Sequence, residues 1–276
     1  MNVLIVGSTG MLGRYMYRYL YGFHDCVGLS RKHFDATDDT LSNELYHSIN
    51  MCDVVINCVG VLKPHIKHVG VSNTIRINSL FPQLLAEECE RADVMMLHMS
   101  SDCIYTGRKG GYVESDPGDA TDLYARTKMI EPVGTKCCTI RTSFVGEEQN
   151  YGGVGLIKWL TEQTGSVTGY TNCVWNGVTC LQLCEVVNQM IEQPVKHKTQ
   201  HIFSRDSVTK YELCQLIKLV YQLNVDIRPT QAEQISGSKI DGVLDRTLDT
   251  EHEQYKIPNL YTQLLEQKEF QFELGL

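Results

Sequence analysis

The sequence contains no run of roughly 18 apolar residues, the least that a membrane-crossing helix requires, so no membrane partner is expected. Its apolar N-terminus, Met1 to Val6, is too short for a secretion signal and runs straight into a glycine loop. Basic residues are in deficit: 25 Lys and Arg against 33 Asp and Glu leave a formal charge of −8. That balance gives no general attraction to nucleic acid, although a few aimed donors can still hold a small anion. There is no internal repeat, no low-complexity linker, and no common zinc spacing among the cysteines. Cys173, Cys180 and Cys184 come closest to a cluster and read as buried structural thiols, so no metal is expected. The eleven cysteines are an odd number, and Cys137 and Cys138 are neighbours, which predicts reduced thiols in a cytoplasmic protein.

What is present is an ordinary globular composition, 42% hydrophobic and 21% charged over 276 residues, enough for one large domain or two small ones. Asn2 to Val6 reads as a buried strand, and Met11, Leu12, Tyr15, Met16, Tyr19 and Leu20 then recur at helical spacing. Further strands are predicted at Cys26 to Leu29, Asp53 to Val59, Val94 to Met99 and Cys138 to Arg141. Helices are expected at Leu80 to Arg91, with Pro82 in its first turn, and at Leu123 to Pro132. Uniformly apolar strands alternating with amphipathic helices predict an α/β fold, a doubly wound parallel sheet of Rossmann type.

Beyond residue 146 the rhythm loosens. Glu147 to Gly155 is polar and glycine-rich, and helices are expected at Leu156 to Glu162, Cys180 to Glu192, Val208 to Leu223 and Leu260 to Phe270. The expected division is a dinucleotide-binding part over 1–146, with elements around 178–205 returning to it. Residues 147–276 then form a smaller α+β substrate-binding part.

Gly7-Ser8-Thr9-Gly10-Met11-Leu12-Gly13 joins the first strand to the first helix. Such a turn leaves backbone N–H groups at a helix N-terminus, where the helix dipole also favours an anion. Gly7 would make the turn, Gly10 admit a diphosphate to the backbone, and Gly13 let helix and strand pack closely, with Thr9, Met11 and Leu12 completing the cradle. The spacing G-x-x-G-x-x-G resembles the extended short-chain dehydrogenase/reductase superfamily. Where the second strand ends, Ser30 and Arg31-Lys32 stand in place of the acidic residue that would hold a ribose. Two cations there suit a 2′-phosphate, so NADPH is the expected cofactor and NADH the alternative.

Ser100-Ser101-Asp102 follows the strand Val94 to Met99, and Tyr124 and Lys128 lie four apart in the next helix, hence on one face. A cation beside a phenol lowers its pKa towards working pH, so Tyr124 can exchange a proton with a carbonyl oxygen while Ser101 donates a further hydrogen bond to it. Ser101, Tyr124 and Lys128 are therefore the candidate catalytic residues. His65 and His68 read as surface residues, and His98 as a satisfied core histidine.

Closer still, Ser100-Ser101-Asp102-Cys103-Ile104-Tyr105-Thr106-Gly107 is similar to the S-T-D-Y-V-F-D-G block of dTDP-4-dehydrorhamnose reductases. Tyr112-x-Glu114-x-Asp116 resembles that family's Y-x-E-x-D, Arg141-Thr142-Ser143-Phe144 its R-T-S-W, and Asn78 to Pro82 its N-x-x-x-P. Asn57-Cys58-Val59-Gly60 stands where the family lines the nicotinamide side. The resemblance implies NAD(P)H-dependent reduction of the 4-keto group of a nucleotide-diphosphate 6-deoxy sugar. Tyr124 would be the proton donor, Lys128 would hold the cofactor ribose, and Asn57, Val59, Gly60 and Asn78 would serve the cofactor side. Ser101, Asp102 and Phe144 would face the sugar, and Trp175, flanked by Asn172, Asn176 and Gly177, either lines the nucleotide or sugar pocket or simply packs.

Three departures bear on the sugar. Cys103 replaces the family's block tyrosine, Phe144 replaces its tryptophan, and Val61-Leu62-Lys63-Pro64-His65 replaces its acidic stretch. The rival readings are a nucleotide-sugar epimerase or 4,6-dehydratase using the same tyrosine and lysine, and a non-catalytic NADP-binding regulatory subunit. A homodimer is the candidate assembly.

Overall fold

The computed structural model describes residues 1–148, 154–193, 196–235, 238–240, 242–252 and 255–273. The expected glycine-rich loop Glu147 to Gly155 therefore lies partly outside the described residues, at 149–153. Asn2–Val6 forms β1, and Val3 to Val6 have no polar face to offer water. All four are buried, as befits a strand covered on both sides. Parallel neighbours follow: β2 (Asp25–Leu29), β3 (Val54–Asn57), β4 (Met95–Met99) and β5 (Cys137–Arg141). Across the sheet the order is β2-β1-β3-β4-β5, with Thr199–His201 outside β5.

That order reverses between β1 and β3: the chain leaves β1 for β2 on one side, then crosses to β3 on the other. In open α/β sheets ligands bind at such a reversal, beyond the carboxyl ends of the strands. The registers bring those ends level, since Val6 lies opposite both Leu29 and Asn57, Asn57 opposite His98, and Met99 opposite Ile140. Gly7, Ser30, Cys58 and Ser100 thus leave the sheet along one edge.

Helix α1 (Met11–Leu20) buries Leu12, Tyr15, Met16 and Leu20. Helix α2 (Asn43–Ile49) starts at Ser42, whose side chain accepts the Leu45 N–H at 3.2 Å. Leu45, Leu85, Leu4, Val55 and Met96 join one core, to which Phe34 and Phe81 add a stacked pair with centroids 5.3 Å apart. Pro82 does sit in the first turn of a helix, Phe81–Ala92, but the chain is already wound before it, in a π-helical turn over Arg76–Leu80.

The chain divides into two compact units. One comprises Met1–Ile104, Ala120–Arg141 and Cys184–Gln200; the other Tyr105–Asp119, Thr142–Leu183 and His201–Leu276. The boundary thus falls after Arg141 rather than at 146, and 105–119 belongs with the second unit although the strand–helix rhythm runs through it. That unit has its own core of Ile157, Trp175, Leu213, Ile217, Ile227 and Leu264. Its helix Lys210–Tyr221 begins with a reciprocal cap between Thr209 and Glu212. The Y-x-E-x-D residues prove architectural: the Tyr112 hydroxyl accepts the Gly107 and Lys109 N–H groups. Glu114 accepts from the His201 and Glu251 N–H groups and from the Thr250 hydroxyl.

All eleven cysteines are free thiols. Among the described residues no helix is long and apolar enough to cross a membrane. Leu97, fully buried at the centre of β4, anchors the sheet beneath the candidate site. Leu97→Ala is expected to lower unfolding stability by about 2–5 kcal/mol, read as an earlier urea midpoint at unchanged slope.

Candidate active site

The glycine loop is shaped by contacts that admit no side chain. A Cβ on Gly13 would stand 2.1 Å from the Gly7 carbonyl oxygen, and one on Gly7 2.9 Å from Val59, where the backbone φ is also +89°. Gly10 is different: a Cβ there would meet only the Gly7 oxygen at 3.5 Å, so this side of the loop is open to approach. α1 begins at Gly10 with no side-chain cap and no acidic residue in its first turn, leaving its N-terminal N–H groups for an anion. Thr9 and Gly10 are exposed and Met11 half-exposed, whereas Leu12 and Gly13 are buried beneath them. Gly28, which the sequence reading passed over, is needed as well, because a Cβ there would lie 2.8 Å from the Ser8 side chain.

After β2, Ser30 turns inward, its N–H donating to His33 Nδ1 at 3.0 Å, while Arg31 and Lys32 are exposed. The nearest following carboxylate, Asp35, is engaged by the Thr37 N–H at 2.8 Å and hydroxyl at 2.7 Å.

At the carboxyl end of β3, Asn57 is wholly buried. Its amide reaches His98 Nδ1 at 3.1 Å and accepts the Val59 N–H at 3.0 Å. Asn78 is equally buried, accepting the Val61 N–H at 2.8 Å and donating to the Val61 carbonyl and the Thr127 hydroxyl, both at 3.1 Å. Asn78, expected to fix the backbone near Lys128, joins the loop after β3 to Thr127, and both amides are bonded within the protein, where they shape the Cys58–Val61 loop. His98 is held neutral by burial and the nearby Lys128, in keeping with a core histidine.

Ser101, Tyr124 and Lys128 are brought together beyond β4. The helix Leu123–Met129 starts at Asp122, whose side chain accepts the Ala125 N–H at 3.1 Å. Lys128 Nζ donates to the Met99 carbonyl at 3.0 Å and lies over Gly60, where a Cβ would come within 3.2 Å of it. Ser101 Oγ accepts the Cys103 N–H at 3.1 Å and donates to Asp102 at 3.2 Å.

The phenol departs from expectation. Burial pushes Tyr124 well above the ordinary value of 10; Cys103 adds to the rise, a hydrogen bond with Ser101 opposes it, and Asp102 and Asp122 add further. Lys128 was expected to draw the phenol down, yet the amine is turned to Met99, and the cation over the Tyr124 ring is Lys63, 5.7 Å from its centroid. A phenol so placed keeps its proton at neutral pH and can give it.

Phe144 and Trp175 belong to the second unit. Phe144 is half-exposed on a short strand that pairs with Val178. Trp175 was expected either to line a ligand pocket or to pack in a core. It is buried in that unit's core, its indole N–H donating to Ser143 Oγ at 2.8 Å and Lys210 Nζ lying 4.8 Å from its ring, so its role is packing.

A family model described as RmlD substrate binding domain matches residues 1–241. A dTDP-4-dehydrorhamnose reductase of Mycobacterium tuberculosis is 26% identical over 190 residues, 60% of this chain, and the match spans only 61% of that protein's length. A dTDP-4-keto-6-deoxy-D-glucose reductase of Streptomyces niveus is 22% identical over 253 residues, 86% of this chain and 85% of that protein. The crystal structure of a dTDP-4-dehydrorhamnose reductase from Bacillus anthracis, in complex with NADP, superposes with a TM-score of 0.82 at 16% identity. It covers 98% of this chain and 99% of that one, a likeness of fold.

Burial lowers Lys128 from 10.5 to about 8, with Cys58 and then Glu131 opposing. In the unfolded chain the amine stays protonated up to its ordinary value. The folded protein therefore carries a desolvated charge below about pH 8 and is relieved of it as pH rises towards 10.5. Lys128→Met is expected to unfold at higher urea than the parent at pH 7, the gap narrowing by about pH 10. Coincident midpoints at both values would mean that the Met99 carbonyl compensates the charge in full.

Proposed function

The chain belongs to the RmlD substrate binding domain family, and from that premise we propose that it reduces the 4-keto group of a nucleotide-linked 6-deoxy sugar with NADPH. One observation carries the reading: the Tyr124 phenol, hydrogen-bonded with Ser101 and protonated at neutral pH, stands one helical turn before Lys128, whose ammonium bonds to the Met99 carbonyl at the end of β4. The residues present fit a dinucleotide. Gly7 and Gly13 close the turn, Gly10 leaves its outer side open, and the α1 N-terminus has no acidic residue to repel a diphosphate. Exposed Arg31 and Lys32 after β2, with no carboxylate at Ser30, support a 2′-phosphate and hence NADPH over NADH. The Streptomyces and mycobacterial relatives carry names of the same chemistry.

A bound nicotinamide cofactor would supply the hydride. Tyr124 gives its proton to the carbonyl oxygen as charge develops there, and the single Ser101 hydroxyl proton, shared between Asp102 and the phenol, supports the charge left on the phenol oxygen. Lys128, fixed between Gly60 and Met99, supplies positive charge and a donor for the cofactor's ribose. Asp102, bonded to Ser101, orients that hydroxyl. Phe144 is the apolar candidate on the sugar side. Eleven free thiols support a reducing, cytoplasmic setting, and a homodimer is the assembly we propose.

Tyr124→Phe should lower turnover by about 10²–10⁴-fold, the usual worth of a positioned acid, while NADPH binding followed by fluorescence persists. The assay is loss of NADPH absorbance with dTDP-, UDP- and GDP-linked 4-keto-6-deoxy sugars. Product without net NADPH loss would instead indicate the epimerase or dehydratase, and tight NADPH binding with no turnover the regulatory subunit. Arg31→Ala should raise the KM for NADPH by about tenfold and leave that for NADH unchanged, as expected of a lost charge-assisted contact.

A further inference from the structure

Lys63 lies in the stretch after β3 that departs from the acidic segment of dTDP-4-dehydrorhamnose reductases. Its Nζ donates to Asp122 Oδ2 at 2.9 Å and stands 5.7 Å from the centroid of the Tyr124 ring. Asp122 is itself the N-cap of the helix that carries Tyr124 and Lys128, its other oxygen accepting the Ala125 N–H. Both side chains of the pair are largely shielded, at 21% and 25% exposure, so water screens their charges only partly.

The groups facing Tyr124 are mostly acidic or neutral. From the turn after β4 come Asp102, Cys103 and the Ser101 hydroxyl, and from the start of its own helix comes Asp122. Proton donation leaves negative charge on the phenol oxygen in the company of two carboxylates. Lys128, whose ammonium is committed to Met99, is not the cation over the ring.

We propose that Lys63 is a positioning residue for the proton transfer: its ammonium neutralises Asp122 and faces the Tyr124 ring, so that negative charge can develop on the phenol oxygen. This rests on the reductase reading for its catalytic meaning, but the electrostatic arrangement it describes exists in the protein alone. The pair also ties the loop after β3 to the catalytic helix, and a tether without electrostatic function is the competing account. The two differ in what happens when both charges are removed together. Asn at 122 still caps the helix, so Lys63→Met with Asp122→Asn cancels the charge imbalance without restoring the tether.

The test uses the full chain with 3-nitrotyrosine incorporated at position 124, whose phenolate absorbs visibly and titrates in an accessible range. Lys63→Met is expected to move that titration upward by about one pH unit, Lys63→Arg to leave it in place, and the Lys63→Met/Asp122→Asn pair to return it towards the parent. In the unlabelled enzyme kcat should fall by about tenfold in Lys63→Met with the KM for NADPH unchanged, and recover in the double variant and in Lys63→Arg. An unmoved titration in Lys63→Met, or a double variant no better than the single one, overturns the proposal. Absence of turnover in the parent with every sugar nucleotide defeats the reductase reading instead, and the titration still decides the role of Lys63.

Discussion

The Lys128 ammonium is enclosed at the carboxyl side of the parallel sheet with the Met99 carbonyl as its acceptor at 3.0 Å, and the neighbouring chain is arranged around that buried charge. A lysine so placed opposes folding unless its surroundings are rigid and polar where they touch it. Gly60 provides the space, since any Cβ would crowd the amine. Asn78 provides rigidity by joining the Val61 backbone to Thr127, and Ser79 adds a bond to the Thr127 carbonyl at 2.8 Å. Both residues are delivered by the π-helical turn Arg76–Leu80, the kind of irregularity that tends to mark functional positions in helices.

Burial moves the two titrating groups of the site towards their neutral forms, the lysine down and the phenol up. The consequences are unequal. At about 8, Lys128 remains mostly charged at neutral pH, whereas Tyr124 holds its proton firmly. In the proposed reduction the protonated phenol is the form that gives its proton, and negative charge then develops on its oxygen. The Ser101 hydroxyl meets part of it, and a cation over the ring has a physical reason to be there.

Much of this was legible in the residues because its causes are local. Four consecutive buried apolar residues in β1 announce a strand covered on both faces, and the glycines at 7, 10 and 13 report a turn whose crowding lies within the turn itself. The four-residue spacing of Tyr124 and Lys128 announced one helix, Leu123–Met129, carrying both. What escaped has distant causes. Gly28 is required by Ser8, twenty positions earlier, and Lys63 meets Asp122 across 59 residues, with nothing periodic to signal either. Pro82 marked a helix start correctly by rule, but tertiary packing had already wound the preceding turn. Trp175 stands among asparagines and glycine, which left a ligand pocket and packing equally open; Ser143 satisfies its one polar atom and the ring fills a core. The sign of the Tyr124 shift was missed because adjacency in sequence said nothing of where the amine turns.

The same distinction separates positions that the fold itself fixes from positions that it leaves open to change. Gly13 cannot carry a side chain while the loop keeps its shape, because its Cβ would occupy the Gly7 carbonyl. Ser101 and Tyr124 are buried and bonded to backbone or to one another, so exchanging either leaves a polar partner stranded. Phe144 and Cys103 are both half-exposed. It is at these two half-exposed positions that this sequence parts from the reductases it otherwise resembles.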